Sequence, residues 1–275
     1  MIIVIINLFL TLAGTALFLI FGTYPQNIVG TLMVLGVAVG LFFASMIVLL
    51  LLLIVVIYTT VNTNKKSLLK HNFYNQLGFY IFNFILRVKV IVTGRENLPQ
   101  SNRFVTISNH IEYTDPIYMK QIFKKFPMAF VSKEELFRFS LLRYLMLGTG
   151  CISLHRGMAR QGLQAILDTV NAIKNGQPMA VFAEGTRSYS NEMIPFKAGS
   201  FKLATKAEAD IVPVCLYDMH GIFRRFRIGI QKCYIHVLPV IPYKQIADMD
   251  TNAISVMVQN LVEKQMKEFK AKYHN

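Results

Sequence analysis

From Met1 to Asn64 the chain contains no Lys, Arg, Asp or Glu, and no other feature constrains it more. Residues 1–22 are apolar and long enough for the roughly 20 helical residues that a bilayer core requires. No basic side chain precedes this run, which argues against a cleaved secretory signal. Thr23 to Asn27 is a short polar break containing Pro25, and apolar character then continues from Ile28 to Tyr58. Fully helical, that second run exceeds a hydrocarbon thickness of about 30 Å, so it must tilt or begin late. The spacing of Gly36 and Gly40 permits a close helix contact, but glycine is common in membrane helices and the plainer reading is preferred. Lys65, Lys66, Lys70, Arg87 and Lys89 follow the second run, while the polar break has no basic residue. The excess of basic residues on one side places residues 65–275 in the cytoplasm, with Met1 on the same side. This is the pattern of an N-terminal transmembrane helical hairpin over residues 1–64 in a multi-pass protein of the cell membrane.

The formal net charge of +14 belongs entirely to residues 65–275. Over the whole chain 53% of residues are hydrophobic and 16% charged, against about a quarter charged in ordinary globular proteins, which excludes a soluble domain and a disordered chain. Cys151, Cys215 and Cys233 are scattered and odd in number, so no disulfide framework is expected and a reducing compartment is indicated. Residues 65–87 are rich in aromatics, flanked by Lys70 and Arg87 and interrupted by asparagines. They fit an interfacial helix at headgroup level and equally a linker helix packed on the following domain. From Val88 the text alternates. Strand-like runs are Val88–Thr93, Phe104–Ser108, Ala129–Ser132, Met179–Ala183, Ile211–Tyr217 and Tyr234–Val240, with helical stretches between them. Such alternation predicts an α/β domain over 88–275, a mostly parallel twisted sheet flanked by helices. A last helix over 253–269 puts Ile254, Met257, Val258, Leu261 and Phe269 on one face.

Two segments carry chemistry. In Ser108-Asn109-His110-Ile111-Glu112-Tyr113-Thr114-Asp115, a His and an Asp five positions apart straddle a strand-to-helix turn. The carboxylate can hold one ring nitrogen as a donor and leave the other free to take a proton. In Phe182-Ala183-Glu184-Gly185-Thr186-Arg187-Ser188, Gly185 permits close backbone approach, Arg187 offers a planar fork for a phosphate, and Glu184 is placed to orient it. A solvated turn with a structural Glu–Arg pair fits that heptad as well. Gly150-Cys151-Ile152-Ser153-Leu154-His155-Arg156 and Val212-Pro213-Val214 are weaker signals on their own. His71, His155, His220, His236 and His274 lack partner spacing and read as structural or surface residues. No metal cluster, phosphate-binding glycine loop or dinucleotide fingerprint is present in the sequence.

In order and spacing, N-H-x4-D, G-x5-R, F-x-E-G-T-R-S and V-P-V resemble the four-block signature of the glycerolipid acyltransferase family, which includes bacterial 1-acyl-sn-glycerol-3-phosphate acyltransferases. The resemblance runs from about Val88 to Pro242 and takes in Gly94–Pro99 and the Lys133–Leu136 segment. It implies that His110 is a general base with Asp115 as its partner. It implies that Arg156, Glu184, Gly185, Thr186 and Arg187, with Lys133 as a further basic contact, bind the acceptor and its phosphate. The strand at Val212–Val214 then supports the site or the acyl channel. Two positions depart from the pattern: Ala183 stands where the family usually has Pro, and Glu112 where it commonly has Ser. A carboxylate at 112 pointing inward would repel a phosphate.

The expectation is a membrane-bound O-acyltransferase with its catalytic domain on the cytoplasmic face. It would move a fatty acyl group from acyl-CoA or acyl-acyl carrier protein to the free hydroxyl of lysophosphatidic acid, giving phosphatidic acid in phospholipid biosynthesis. No cofactor is expected beyond that acyl-donor substrate, and the partners are membrane lipid and a lysophospholipid acceptor rather than nucleic acid. Glycerol 3-phosphate or another lysolipid is the alternative acceptor, and a catalytically silent lipid-binding scaffold the alternative class. The Arg224-Arg225-Phe226-Arg227 run is either a solvated face or a contact for lipid headgroups or an acidic donor.

Overall fold

The computed structural model describes residues 2–154, 159–222 and 229–273. The chain divides into two compact units, Met1–Val61 and Asn62–Asn275. In the first, α1 (Ile2–Phe21) is followed by α2 (Ile28–Thr60). The side chain of Asn27 accepts from the backbone amides of Val29 and Gly30 at 3.0 and 3.2 Å, which caps α2 and fixes its start. The Ser45 hydroxyl donates to Asn7 Oδ1 at 2.7 Å, so a polar pair joins the two apolar helices. Space is open beside Gly36 and Gly40, which therefore mark no close contact. Among the described residues α2, 33 residues long, is the one helix that meets the length and hydropathy of a bilayer span. The apolar helix Ile5–Phe21 falls short of it, so the expected pair of spans is matched by one helix of spanning length.

The second unit opens with α3 (Leu68–Leu86), capped by the Ser67 hydroxyl. Its Phe79 ring meets Tyr118 edge-on at 6.0 Å, and Asn75 bonds Gln121, so α3 packs on the α/β domain along this face. Leu68, Leu69 and Phe73, nearer its start, stay exposed. His71 is buried with Nε2 2.7 Å from the Lys65 carbonyl, and burial followed by the charge of Lys120 pushes its pKa down to about 3.

The chain then runs through β1 (Val88–Thr93), β2 (Phe104–Ser108), α4 (Asp115–Ile122), β3 (Ala129–Lys133), α5 (Ser140–Gly148) and β4 (Ile152–Leu154). It continues through α6 (Ala159–Lys174), β5 (Met179–Phe182), α7 (Lys202–Ala207), β6 (Asp210–Tyr217) and β7 (Gln231–Val237). A short α8 (Tyr243–Ile246) and a long α9 (Thr251–Tyr273) end it. The strands form one sheet in the order β1-β7-β6-β2-β5-β3-β4. All pairings are parallel except β6 with β7. β2 is buried at every position, as expected for a central strand covered on both faces.

The sheet thus contains the strands predicted from the sequence, with one shift. β7 covers Gln231–Val237 rather than Tyr234–Val240. Pro239 and Pro242 follow it, and proline lacks the N–H a ladder needs, so the apolar residues beyond Val237 cannot extend it. α9 buries Ile254, Val258, Val262, Met266 and Phe269, a stripe that extends the predicted face. Phe104 lies at the centre of the core with no exposed surface, 5.8 Å from the Phe123 ring and 5.1 Å from Phe126. Phe104→Ala should cost about 3–5 kcal/mol through the cavity it leaves. Thermal unfolding of the detergent-purified protein should show that loss as a lowered midpoint.

Candidate active site

Because β6, β2, β5, β3 and β4 are mutually parallel, their C-terminal ends share one edge of the sheet. That edge is where ligands bind in open α/β sheets. Ser108 ends β2, and the next residues turn sharply into α4. Asn109 holds this turn: its Nδ2 donates to the Leu216 carbonyl at 2.9 Å and its Oδ1 accepts from the Leu216 amide at 2.8 Å. The side chain thereby acts as one more peptide unit against β6. Nothing in the sequence distinguished this part of Asn109 from the motif around it.

His110 follows. Its Nδ1 lies 2.8 Å from Asp115 Oδ2, and that same oxygen accepts from the amides of Ile111 at 2.7 Å and Glu112 at 2.9 Å. Asp115 is fully buried at the first turn of α4, whose free amides stabilise a negative charge there. An ionised carboxylate has no proton to give, so Nδ1 carries the hydrogen and Nε2 keeps its lone pair. The imidazole also lies flat on Phe182, with ring centroids 3.9 Å apart and planes 15° from parallel, and Phe130 continues the stack at 5.9 Å. The ring is thus fixed by a hydrogen bond at one atom and by stacking over its face.

β5 delivers the second segment alongside. The Ser188 amide donates to the His110 carbonyl at 2.9 Å and the Tyr189 amide to the Ile111 carbonyl at 3.3 Å, so the two loops are joined by their backbones. Gly185 has φ +71°, a left-handed turn that favours glycine. The Glu–Arg pair anticipated from the sequence is not formed. The Arg187 guanidinium instead lies 3.4 Å above the ring of Tyr113 and 5.3 Å from that of Tyr189. Glu184 is buried, and neither carboxyl oxygen has a hydrogen-bond partner. Burial pushes its pKa up to about 8. The backbone amides of His110 and Ile194, close by without bonding geometry, offset part of the rise, and the charge of Asp115 adds to it.

Thr186 is exposed on the same loop and Lys133 is half-buried at the end of β3. Lys133 pairs in register with Leu154 of β4. Arg156 and His155 lie outside the described residues, as does the Arg224–Arg227 run. Glu112 is buried, and its Oε1 accepts from the Tyr113 amide at 2.9 Å, so that carboxylate is engaged by its own loop. Cys151 precedes β4 and so sits at the opposite edge of the sheet from His110, buried, with Sγ 3.6 Å from the Thr149 hydroxyl. Ser108 Oγ is turned into the core, where it donates to the Asn109 carbonyl. Tyr113, Tyr189 and Phe182 were not expected to shape the site. The sequence holds no signal for the tyrosines, because their role comes from two loops meeting.

The His110–Asp115 pair, at one edge of a mostly parallel sheet flanked by helices, accords with an O-acyltransferase. The Acyltransferase family model matches residues 89–217, which contain both loops. Over these residues the chain is similar to the glycerolipid acyltransferase family. It is 28% identical over 186 residues to the 1-acyl-sn-glycerol-3-phosphate acyltransferase of Borreliella burgdorferi, covering 66% of this chain and 74% of that protein. It is 26% identical over 182 residues to 1-acyl-sn-glycerol-3-phosphate acyltransferase alpha of Homo sapiens, covering 64% and 63%. The fold is similar to the crystal structure of the 1-acyl-sn-glycerophosphate acyltransferase PlsC from Thermotoga maritima. That match has a TM-score of 0.62 and 23% identity, over 73% of this chain and 80% of that one.

The raised pKa of Glu184 has a consequence for stability. Unfolded, the group titrates near 4.5, and folded near 8, so between those values the native state holds the extra proton. Stability should therefore be greatest below pH 4.5 as far as this group is concerned, and its contribution should fall steadily as pH rises to about 8. Glu184→Gln should flatten that fall, measured as unfolding midpoint against pH.

Proposed function

We propose that the chain transfers a fatty acyl group from an acyl thioester, acyl-CoA or acyl-acyl carrier protein, to the free hydroxyl of lysophosphatidic acid, forming phosphatidic acid. The observation that carries this reading is the His110–Asp115 contact at 2.8 Å, with Nε2 free at the sheet edge where the Arg187 loop is stapled alongside. Nε2 takes the acceptor's hydroxyl proton as the oxygen attacks the thioester carbonyl carbon. The C–S bond then breaks, and the imidazolium returns the proton to the departing thiolate. Proton transfer by a group so positioned contributes about 10²–10⁴-fold, and Asp115 holds the tautomer and stabilises the imidazolium.

Arg187, Lys133 and Arg156 hold the acceptor's phosphate, with Gly185 and Thr186 shaping the loop around it. Glu184 is neutral at pH 7 with a pKa near 8, so it meets a phosphate-bearing acceptor without charge repulsion and can donate a hydrogen bond to it. The acceptor hydroxyl attacks directly: Cys151 lies at the far edge and Ser108 faces the core. Residues 1–64 form a two-helix membrane anchor that returns Met1 to the cytoplasmic side. Residues 65–87 link it to a catalytic domain over 88–275 on that face, which works against membrane lipid.

His110→Ala should abolish transfer by at least about 10²-fold while leaving the fold intact. Near-normal turnover in that variant would sink the mechanism. Arg187→Ala should raise the KM for the acceptor by about tenfold or more and spare that for the donor, since a hydrogen bond to a charged group contributes about 1.5–3 kcal/mol. Steady-state kinetics with each substrate varied in turn separates the two. For topology, a Cys placed at Gln26 should react with an impermeant reagent outside intact cells, and one at Asn62 should not.

A further inference from the structure

The segment after β3 carries a feature that acyl transfer does not use. Residues 138–143, Arg-Phe-Ser-Leu-Leu-Arg, are exposed at every position, across the turn into the first residues of α5. Phe139 is 68% exposed, Leu141 42% and Leu142 37%. The same stretch is anchored from both sides. Leu136 and Phe137 pack against the core before it, and Met146 is buried within it at the other end of α5. Three large apolar side chains are thus held outward by a rigid support, between two arginines.

Its position is informative. β3 ends at Lys133, and a short 3-10 helix, Glu134–Arg138, carries the chain from there into this segment, so the patch follows the sheet edge that bears His110. Phe130 of β3 joins the ring stack under His110 through Phe182. An exposed apolar tip flanked by guanidinium groups matches a lipid surface: the side chains enter the acyl region and the arginines remain among headgroup phosphates. A second copy of the chain fits less well. A two-fold contact through this patch would bring Arg138 and Arg143 against their own copies, like charge on like. The domain's net positive charge favours anionic lipid for the same reason.

We infer that Phe139, Leu141 and Leu142 form a membrane-inserting tip that seats the rim of the active site on an anionic bilayer, separately from the apolar helices. The inference rests on the reading of the chain as a membrane-bound acyltransferase. The tip fixes the height of the sheet edge above the membrane, so a lysolipid acceptor need leave the bilayer only partly to present its hydroxyl to His110.

The chain contains no tryptophan, so Phe139→Trp and Leu142→Trp each give a single fluorescent reporter in the full-length protein. Val256→Trp, at an exposed position on α9, is the reference. In nanodiscs of phosphatidylglycerol, emission from positions 139 and 142 should shift to the blue and be quenched by lipids brominated in the acyl chain, with no effect at 256. Quenching no stronger than at 256 would overturn the inference. So would a blue shift that depends on protein concentration and not on brominated lipid, which identifies a second copy as the occupant. In a kinetic arm, Phe139→Ser with Leu142→Ser should lower turnover of bilayer-embedded lysophosphatidic acid by about tenfold or more. The same double variant should leave turnover of a water-soluble short-chain acceptor unchanged. Equal loss on both acceptors would place these residues in the site's own architecture and overturn the docking role. Quenching at 139 and 142 in a protein inactive on every acceptor would sustain the docking and overturn the proposed function, so the two readings fail separately.

Discussion

The buried carboxylate of Asp115 is the constraint around which the site is built. One of its oxygens accepts three hydrogen bonds, from the imidazole of His110 and from the amides of Ile111 and Glu112. A fully buried charge is costly unless such donors surround it, and here they come from the same turn that carries the histidine. The turn therefore cannot relax without exposing the charge, and the charge cannot move without releasing the ring. Chemistry and local fold share one set of bonds.

That turn is in turn held by its surroundings. Asn109 ties it to β6 through two hydrogen bonds to Leu216, and Phe182 of β5 supplies the floor on which His110 lies. Because β2, β5 and β6 are parallel neighbours, the three contributions arrive at one edge from segments far apart in sequence. The parallel arrangement also separates Cys151 from His110, since the cysteine enters β4 at the opposite edge. A two-step route through that thiol would need a different sheet.

Charge at the site is arranged by environment as well as by residue type. Asp115 and Glu184 are both buried carboxyl groups, but one oxygen of the first accepts three hydrogen bonds while neither oxygen of the second has a partner. Burial accordingly raises Glu184 to about 8 and leaves it neutral at physiological pH. The positive charge of this loop is that of Arg187, which lies over Tyr113 instead of being neutralised by Glu184.

Much of this was legible in the sequence. An uncharged stretch of 64 residues can find a stable place only in an apolar phase, so the membrane segment follows from composition. The strands β1, β2, β3, β5 and β6 follow from apolar runs, and the His110–Asp115 pair follows from a five-residue spacing across one short turn. These are local properties, set by neighbours along the chain. What the tertiary structure alone decided are contacts between segments. The Asn109 clamp, the Phe182 floor, the Tyr113 cradle that replaces a Glu–Arg pair, and the antiparallel β7 ended early by Pro239 all depend on which strands lie side by side. The exposed tip at Phe139 belongs with them. Phe137 and Phe139 are the same residue two positions apart, and only the packing of the turn before α5 turns one inward and leaves the other out.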